Sequence, residues 1–465
     1  MLQLILLKAG GGKVRILSSG LKRMFDEANT SLNICLSHSA FLAADVGLHI
    51  AKVIRSSKTL GSVTLKSKFM CNFSDMLRDL IPSLASLHGC LRTLVLSNLS
   101  TETDGVISLS KVLTVLTGLH TLDISVNRNS DIVAASSLAS SLMGLTSLRS
   151  LNLSDNNIGT KCAASLALSL MVLTCLNALK LSNNGIGPEG IASLAPSLML
   201  LTGLHTLDLG RNNIGPVGAA SLAPSLMVLT GLHTLGLGSN DIGPVGAASL
   251  APSLMVLTGL RTLYFEYNRL GPAGTTSLAL SLKLLTGLQM QKLKLSSNDI
   301  GPDAVATLAP SLMVLTGLRT LYLSDNNIGP SGAASLAPAL MAMNVLHSLH
   351  LTDNDMGPSG AASLAPALMT LKEMRTLWIE WNGFGSIGAA SLAPALMTLT
   401  GLLSLNLSDN NIDAAGAASL TPSLMALTGL TRLDLSGNCI WGSDATESLT
   451  ASFTGHLTGL CAFLL

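Results

Sequence analysis

Charge and aromatic rings are scarce in this chain. Only 11% of its 465 residues are charged and 3% are Phe, Trp or Tyr, and 27 Lys and Arg against 26 Asp and Glu leave a formal net charge of +1. A near-neutral, evenly mixed chain lacks the broad basic footprint of a nucleic-acid binder, so no nucleic acid is expected as a partner. Cysteine is also sparse: Cys35, Cys71, Cys90, Cys162, Cys175, Cys439 and Cys461 are odd in number and form no terminal cluster. That pattern favours reduced thiols and a cytoplasmic location over a disulfide framework. No nucleophile–base pair, paired carboxylates or metal-ligand spacing stands out, so neither an enzyme, a cofactor nor a metal site is expected.

Long membrane-type runs are missing too. Asn212 to Asn240 contains no Asp, Glu, Lys or Arg, but Asn213, Pro216, Ser221, Pro224, Thr230 and His233 interrupt it. A spanning helix needs about 20 predominantly apolar residues, so no membrane partner is expected. Met1-Leu-Gln-Leu-Ile-Leu-Leu-Lys8 is too short and poorly flanked for a secretory signal and reads as a strand. Cys461-Ala-Phe-Leu-Leu465 is one residue too long for a prenylation box, and its tail is short for a lipid-anchor signal. Gly10-Gly-Gly-Lys13 is followed by Val14 and lacks phosphate-loop spacing.

What the chain does have is repetition. Leu204-His-Thr-Leu207-Asp-Leu209-Gly-Arg-Asn212-Asn-Ile214-Gly-Pro216 returns as Leu232-His-Thr-Leu235-Gly-Leu237-Gly-Ser-Asn240-Asp-Ile242-Gly-Pro244. The same asparagine falls at 127, 156, 184, 212, 240, 268, 298, 326, 354, 382, 410 and 438, in steps of 28 or 29 residues except one of 30, where two residues are inserted near Gln289-Met-Gln291. Leu91-Arg-Thr-Leu94-Val-Leu96 precedes these with Leu99 in place of asparagine. Leu60-Gly-Ser-Val63-Thr-Leu65, Asn29-Thr-Ser-Leu32-Asn-Ile34 and Leu2-Gln-Leu-Ile5-Leu-Leu7 read as worn copies. The count is about sixteen units, with another beginning at Leu460.

Alternating leucines make a strand with one apolar face and one variable face. The asparagine ends the strand, where its amide can satisfy backbone groups in the turn. Gly215-Pro216 then starts a helix, with proline suited to its first turn. Gly218, Leu222, Leu226 and Leu229 follow at near-helical spacing and pack back on the strand leucines. One unit cannot bury its apolar side alone, but a stack can. Pro196, Pro224, Pro252, Pro310, Pro338, Pro366, Pro394 and Pro422 lie inside these helices, which predicts short or kinked helices with a 3₁₀ turn.

The L-x-x-L-x-L-x-x-N signature resembles the leucine-rich repeat. The 28-residue period, the Asn-x-Ile-Gly turn and the helix after each strand resemble the ribonuclease-inhibitor-like subfamily, which includes ribonuclease inhibitors, repeat regions of NOD-like receptors and Ran GTPase-activating proteins. The resemblance implies an α/β horseshoe solenoid, with a parallel sheet on the concave face and helices on the convex one. It also implies a protein binder that uses its concave face or adjoining loops. Residues 1–90 form divergent repeats, 91–459 the regular ones, and 460–465 a truncated further start, within one continuous solenoid. No capping unit is visible at either end, so a longer parent, or end-to-end or capping contacts there, are expected. Phosphate-loop, acidic-tail and cysteine-rich features of those relatives are absent. The favoured function is a protein-binding scaffold or sensor. The alternatives are a Ran-type GTPase activator and the ligand-sensing fragment of a NOD-like receptor.

The variable strand positions carry the strongest signal. All three tyrosines and two of the three tryptophans occur there, Trp441 excepted. Between the second and third signature leucines, successive repeats carry Tyr264, Lys294, Tyr322, His350 and Trp378, flanked by Glu266, Tyr267, Glu380 and Trp381. With strands about 4.8 Å apart the five form a ladder roughly 20 Å long. Tyrosine and tryptophan dominate binding energy at interfaces, and these nine residues are the candidate partner-binding set. Strand propensity alone would leave aromatics scattered through all repeats. A second ladder, Arg92, His120, Arg149, His205, His233, Arg261, Arg319, His347 and Arg375, reads first as a solvated edge. A third, running from Met143 to Met425, reads first as gap-filling between helices.

Overall fold

The computed structural model describes residues 2–4, 31–36, 43–57, 59–67, 74–99, 103–126, 132–285, 290–440 and 462–464. The glycine run at Gly10–Lys13 and residues Cys71, Asn127, Gln289, Trp441 and Cys461 lie outside them. The chain divides into two compact units. One comprises Met1–Ile214 with Pro224–Leu232, the other Gly215–Ala223 with His233–Leu465.

In the first unit the strands are β1 (Leu2–Leu4), β2 (Ser31–Leu36), β3 (Ser62–Ser67), β4 (Thr93–Ser97), β5 (Thr121–Asp123), β6 (Ser150–Asn152), β7 (Ala178–Lys180) and β8 (Thr206–Asp208). Each pairs in parallel with the next. The second unit carries β9 (Thr234–Gly236), β10 (Thr262–Tyr264), β11 (Lys292–Lys294), β12 (Thr320–Tyr322), β13 (Ser348–His350), β14 (Thr376–Trp378), β15 (Ser404–Asn406), β16 (Arg432–Asp434) and β17 (Ala462–Leu464), again paired in parallel in sequence order. One register differs from the sequence reading: Leu2 and Leu4, not Ile5 and Leu7, pair with Leu32 and Ile34. The run from Leu4 to Leu7 is apolar at every position, so it carries no alternation to fix which parity faces inward.

Period-2 patterning decides what each strand buries. In β10, β11 and β12 the central leucines Leu263, Leu293 and Leu321 are fully buried, while the residues on either side are half-exposed. Helical leucines such as Leu278, Leu308 and Leu336 are buried in the same core, each contributing about 1.5–3 kcal/mol.

The asparagines bind repeat to repeat. Asn326 Oδ1 accepts from the Asn298 N–H at 2.9 Å, and its Nδ2 donates to Leu295 O and Leu323 O at 3.0 Å. The same pattern recurs at Asn184, Asn354, Asn382 and Asn410. A second ladder, unforeseen in the sequence, joins the helices: the hydroxyls of Ser253, Ser281 and Ser423 donate to Ala223 O, Ala251 O and Ala393 O one repeat back.

Two expectations are corrected. The helices do not break at proline: Gly187–Leu198, Gly243–Met255 and Gly385–Thr398 run as α-helices through Pro196, Pro252 and Pro394. Pro196 and Ala192, whose carbonyl loses the usual donor, are both exposed, so water can replace that bond. Among the described residues, 3₁₀ turns occur at Ala85–Leu87, directly after a helix that carries Pro82, and at Leu142–Gly144, but not in the helices of Pro196 to Pro422. The methionines do not fill interior gaps either. Met313, Met341, Met369 and Met397 are between 41% and 47% exposed, on the last turn of their helices or just beyond it.

Candidate functional site

The face of the sheet turned away from the core in the second unit holds the candidate residues. Strand pairing brings Tyr264 opposite Lys294, Lys294 opposite Tyr322, Tyr322 opposite His350 and His350 opposite Trp378. The five therefore occupy successive rungs on one face, continued by Asn406 and Asp434. On the other side of Tyr264 the rung is Gly236.

The rings interlock. Tyr322 and His350 stack at 4.0 Å between centroids with planes 9° apart, and His350 meets Trp378 edge-on at 4.7 Å. Trp378 Nε1 donates to Ser404 Oγ at 3.2 Å, and Ser348 Oγ shares a hydrogen bond with His350 Nε2 at 2.8 Å. Packed between two larger rings, His350 is only 5% exposed. Burial first, then the positive charges of Lys294 and Lys292, lower its pKa to about 4. It is therefore a neutral spacer that fixes Tyr322 and Trp378, with little surface of its own to offer.

Lysines flank the tyrosines. Lys294 Nζ lies 5.1 Å from the Tyr264 centroid and 4.9 Å from that of Tyr322, and Lys292 Nζ lies 5.6 and 5.8 Å from the same two rings. These are cation–π distances. Lys292 was not among the residues singled out in the sequence. Its signal was there: it occupies a column that otherwise reads Thr234, Thr262, Thr320, Ser348, Thr376 and Ser404. Arg432, in the same column, sits 5.8 Å from the Trp378 ring and 3.6 Å from Asp434.

Both glutamates lean onto the sheet. The Glu266 carboxylate lies over Gly238, where an added Cβ would come within 2.8 Å of it, so glycine there makes the room. Glu380 Oε2 is buried without a hydrogen-bond partner, and burial pushes the carboxyl above its ordinary range. Tyr267 and Trp381 differ from the ladder. Each stands in the turn before the buried asparagine with φ of 56°, and they are 57% and 58% exposed. Other repeats place Ser239, Ser297, Asp325, Asp353 and Asp409 in that left-handed position, so a bulky ring there is a costly choice for the backbone.

The basic edge is partly tied to its own turns: Arg92 and Arg375 donate to Gly118 O and Gly401 O, and His347 Nδ1 contacts Val345 O. Among the described residues no cluster of three or more His, Cys, Asp and Glu could hold a metal ion, and no helix is long and apolar enough to cross a membrane.

The family described as Leucine Rich repeat matches residues 144–167, 172–195, 202–223, 229–251, 290–309, 315–337, 342–365 and 399–420. No curated protein sequence matches the chain. Among solved structures, a leucine-rich-repeat protein of Leptospira interrogans is 18% identical, with a TM-score of 0.50 over 82% of this chain and 92% of its own. An internalin of Listeria monocytogenes is 21% identical, with a TM-score of 0.46 over 90% and 94%. TLR13, solved in complex with ssRNA13, is 19% identical with a TM-score of 0.44, and the chain, 89% covered, spans 55% of its length. The first of these likenesses is one of fold. Together with the matched repeats and the buried asparagine ladder, it shows an α/β leucine-rich-repeat solenoid fold.

Proposed function

We propose that the chain is a protein-binding scaffold, and not an enzyme, whose partner lies on the outer sheet face of strands β10–β14. The contact set is Tyr264, Glu266, Tyr267, Lys294, Tyr322, Trp378, Glu380 and Trp381, with His350 as the wedge that holds two of the rings. The observation that carries this reading is the in-register run Tyr264, Lys294, Tyr322, His350, Trp378 in a chain with three tyrosines and three tryptophans in all. Large, stiff rings held by stacking lose little conformational entropy on binding, which is why such residues anchor interfaces. The 28-residue period and the helix after each strand from β4 to β15 support placing the repeats with the ribonuclease-inhibitor-like group, on a concave sheet face. The scattered cysteines support a cytoplasmic location.

The test is capture of partners from a source-cell lysate by the wild-type chain and by a Tyr322→Ala, Trp378→Ala, Trp381→Ala variant of equal circular dichroism. A partner retained by the first and lost by the second is expected. Equal retention by both rejects the aromatic surface.

A further inference from the structure

The outer face of the second unit is electrically uneven along the strand direction. Lys292 and Lys294 lie two residues apart on β11 and so project from the same face. On the neighbouring strands, Arg261 directly precedes β10 and Arg319 directly precedes β12, and both are exposed. Lys292 N–H donates to Arg261 O and Arg319 N–H donates to Gln291 O, so both arginines stand level with Gln291, one residue before the lysine row. Two lysines on one face of β11, with an exposed arginine just before each neighbouring strand, thus stand in a chain with only 27 Lys and Arg among 465 residues.

Lys294 is close enough to act on Lys292. Lys292 is held below the ordinary lysine range by burial and by Lys294, with Glu266 as the opposing charge. Both lysines also act on His350, two strands away on β13. The turns after β12 and β13 are acidic: burial first, then the charges of Asp325 and Asp355, raise the Asp353 carboxyl above its ordinary range. A ligand on this face meets positive charge at the lysines of β11 and negative charge in the turns after β12 and β13.

Resting on the reading of this face as the partner surface, we propose that the start of β10–β12 receives an acidic segment of the protein partner. Its Asp or Glu carboxylates face Lys292 and Lys294, and its apolar atoms lie against Tyr264 and Tyr322. Charge complementarity selects this occupant. Added carboxylates relieve the lysine–lysine repulsion, whereas a basic segment would add to it and a neutral one would leave it. The acidic turns fix which way the segment lies, since carboxylates displaced toward Asp325 and Asp353 meet like charge.

The probe is fluorescein-labelled hexaglutamate, titrated into the full chain with anisotropy as the readout, beside hexalysine and an oligouridylate. Hexaglutamate binds more tightly than the other two, and its binding weakens as salt screens the contact. Lys292→Gln with Lys294→Gln raises its Kd about tenfold, one factor of ten being about 1.4 kcal/mol. Arg149→Gln with Lys180→Gln, cations of the first unit, leaves it unchanged. Lys292→Glu with Lys294→Glu transfers the preference to hexalysine, which shows that the sheet remains folded. Equal hexaglutamate affinity for wild type and the Gln pair, tighter binding of oligouridylate, or no binding of hexaglutamate overturns the proposal. Failure here with loss of the captured partner in the aromatic variant leaves the surface standing and removes only its acidic occupant. Lysine-dependent hexaglutamate binding with the partner retained by that variant removes the aromatic surface instead.

Discussion

Asn326→Ala tests what joins one repeat to the next. Asn326 is fully buried, and its side chain serves three backbone carbonyls and one N–H. The carbonyls are not orphaned by truncation: Leu295 O keeps Asn298 Nδ2, Leu323 O keeps Asn354 Nδ2, and Ser324 O keeps the Ser297 N–H. The Asn298 N–H loses the acceptor that Asn326 provides. An unsatisfied buried donor costs about 1–3 kcal/mol and each of the three weakened carbonyl bonds about 0.5–1.5 kcal/mol, so the expected loss is about 2.5–7.5 kcal/mol. Asn327→Gly is the control, because Asn327 is exposed with φ of 50°, a conformation glycine accepts. Each repeat contacts chiefly its neighbours, so the loss is best read by amide hydrogen exchange alongside urea unfolding. Asn298 should lose protection by the largest factor. Asn326→Asp sharpens the test. It keeps the acceptor but turns a carboxylate toward Leu295 O and Leu323 O, which raises its folded pKa. The stability missing at neutral pH should return as pH falls through that raised value, where a protonated carboxyl can donate. Unchanged Asn298 protection in Asn326→Ala, or unfolding no earlier than in Asn327→Gly, refutes the reasoning.

His350 should titrate near pH 4 by NMR and be neutral at pH 6; because its folded pKa lies below the unfolded value, folding loses stability as pH drops from about 6.5 toward 4. Lys292→Gln with Lys294→Gln should move that titration upward, and a fixed His350 pKa would show that the lysine field does not reach it. Gly274→Ala brings a Cβ within 2.9 Å of Pro244 Cα in the preceding helix, so a loss of about 1–3 kcal/mol is expected in urea unfolding, and a neutral result contradicts the close approach. Met369→Gln, at a position 41% exposed, should shift stability by no more than about 0.5 kcal/mol; a loss several times larger would return methionine to the interior.

The sequence was most legible where one residue type has one job. Leu263, Leu293 and Leu321 alternate with polar neighbours, so the strand, its buried side and the register to the next repeat all follow from spacing. Spacing also brought Tyr264, Lys294, Tyr322, His350 and Trp378 onto one ladder before any coordinates. It failed where the pattern has no alternation, as at Leu4–Leu7, and where propensity competes with solvent. Pro196 reads as a helix breaker, yet the exposed carbonyl it deprives can turn to water.

Periodicity alone thus determined the strand–helix unit, its stacking order and the row on which the aromatics stand, because those depend on which residues recur and at what interval. Tertiary structure decided what each member of the row can do. It buried His350 between Tyr322 and Trp378, carried Lys292 to the same two tyrosine rings as Lys294, and left Met313, Met341, Met369 and Met397 half-exposed. Those outcomes depend on rotamers and on neighbours about 28 residues away, and a one-dimensional repeat fixes the neighbours without fixing how their side chains share the space.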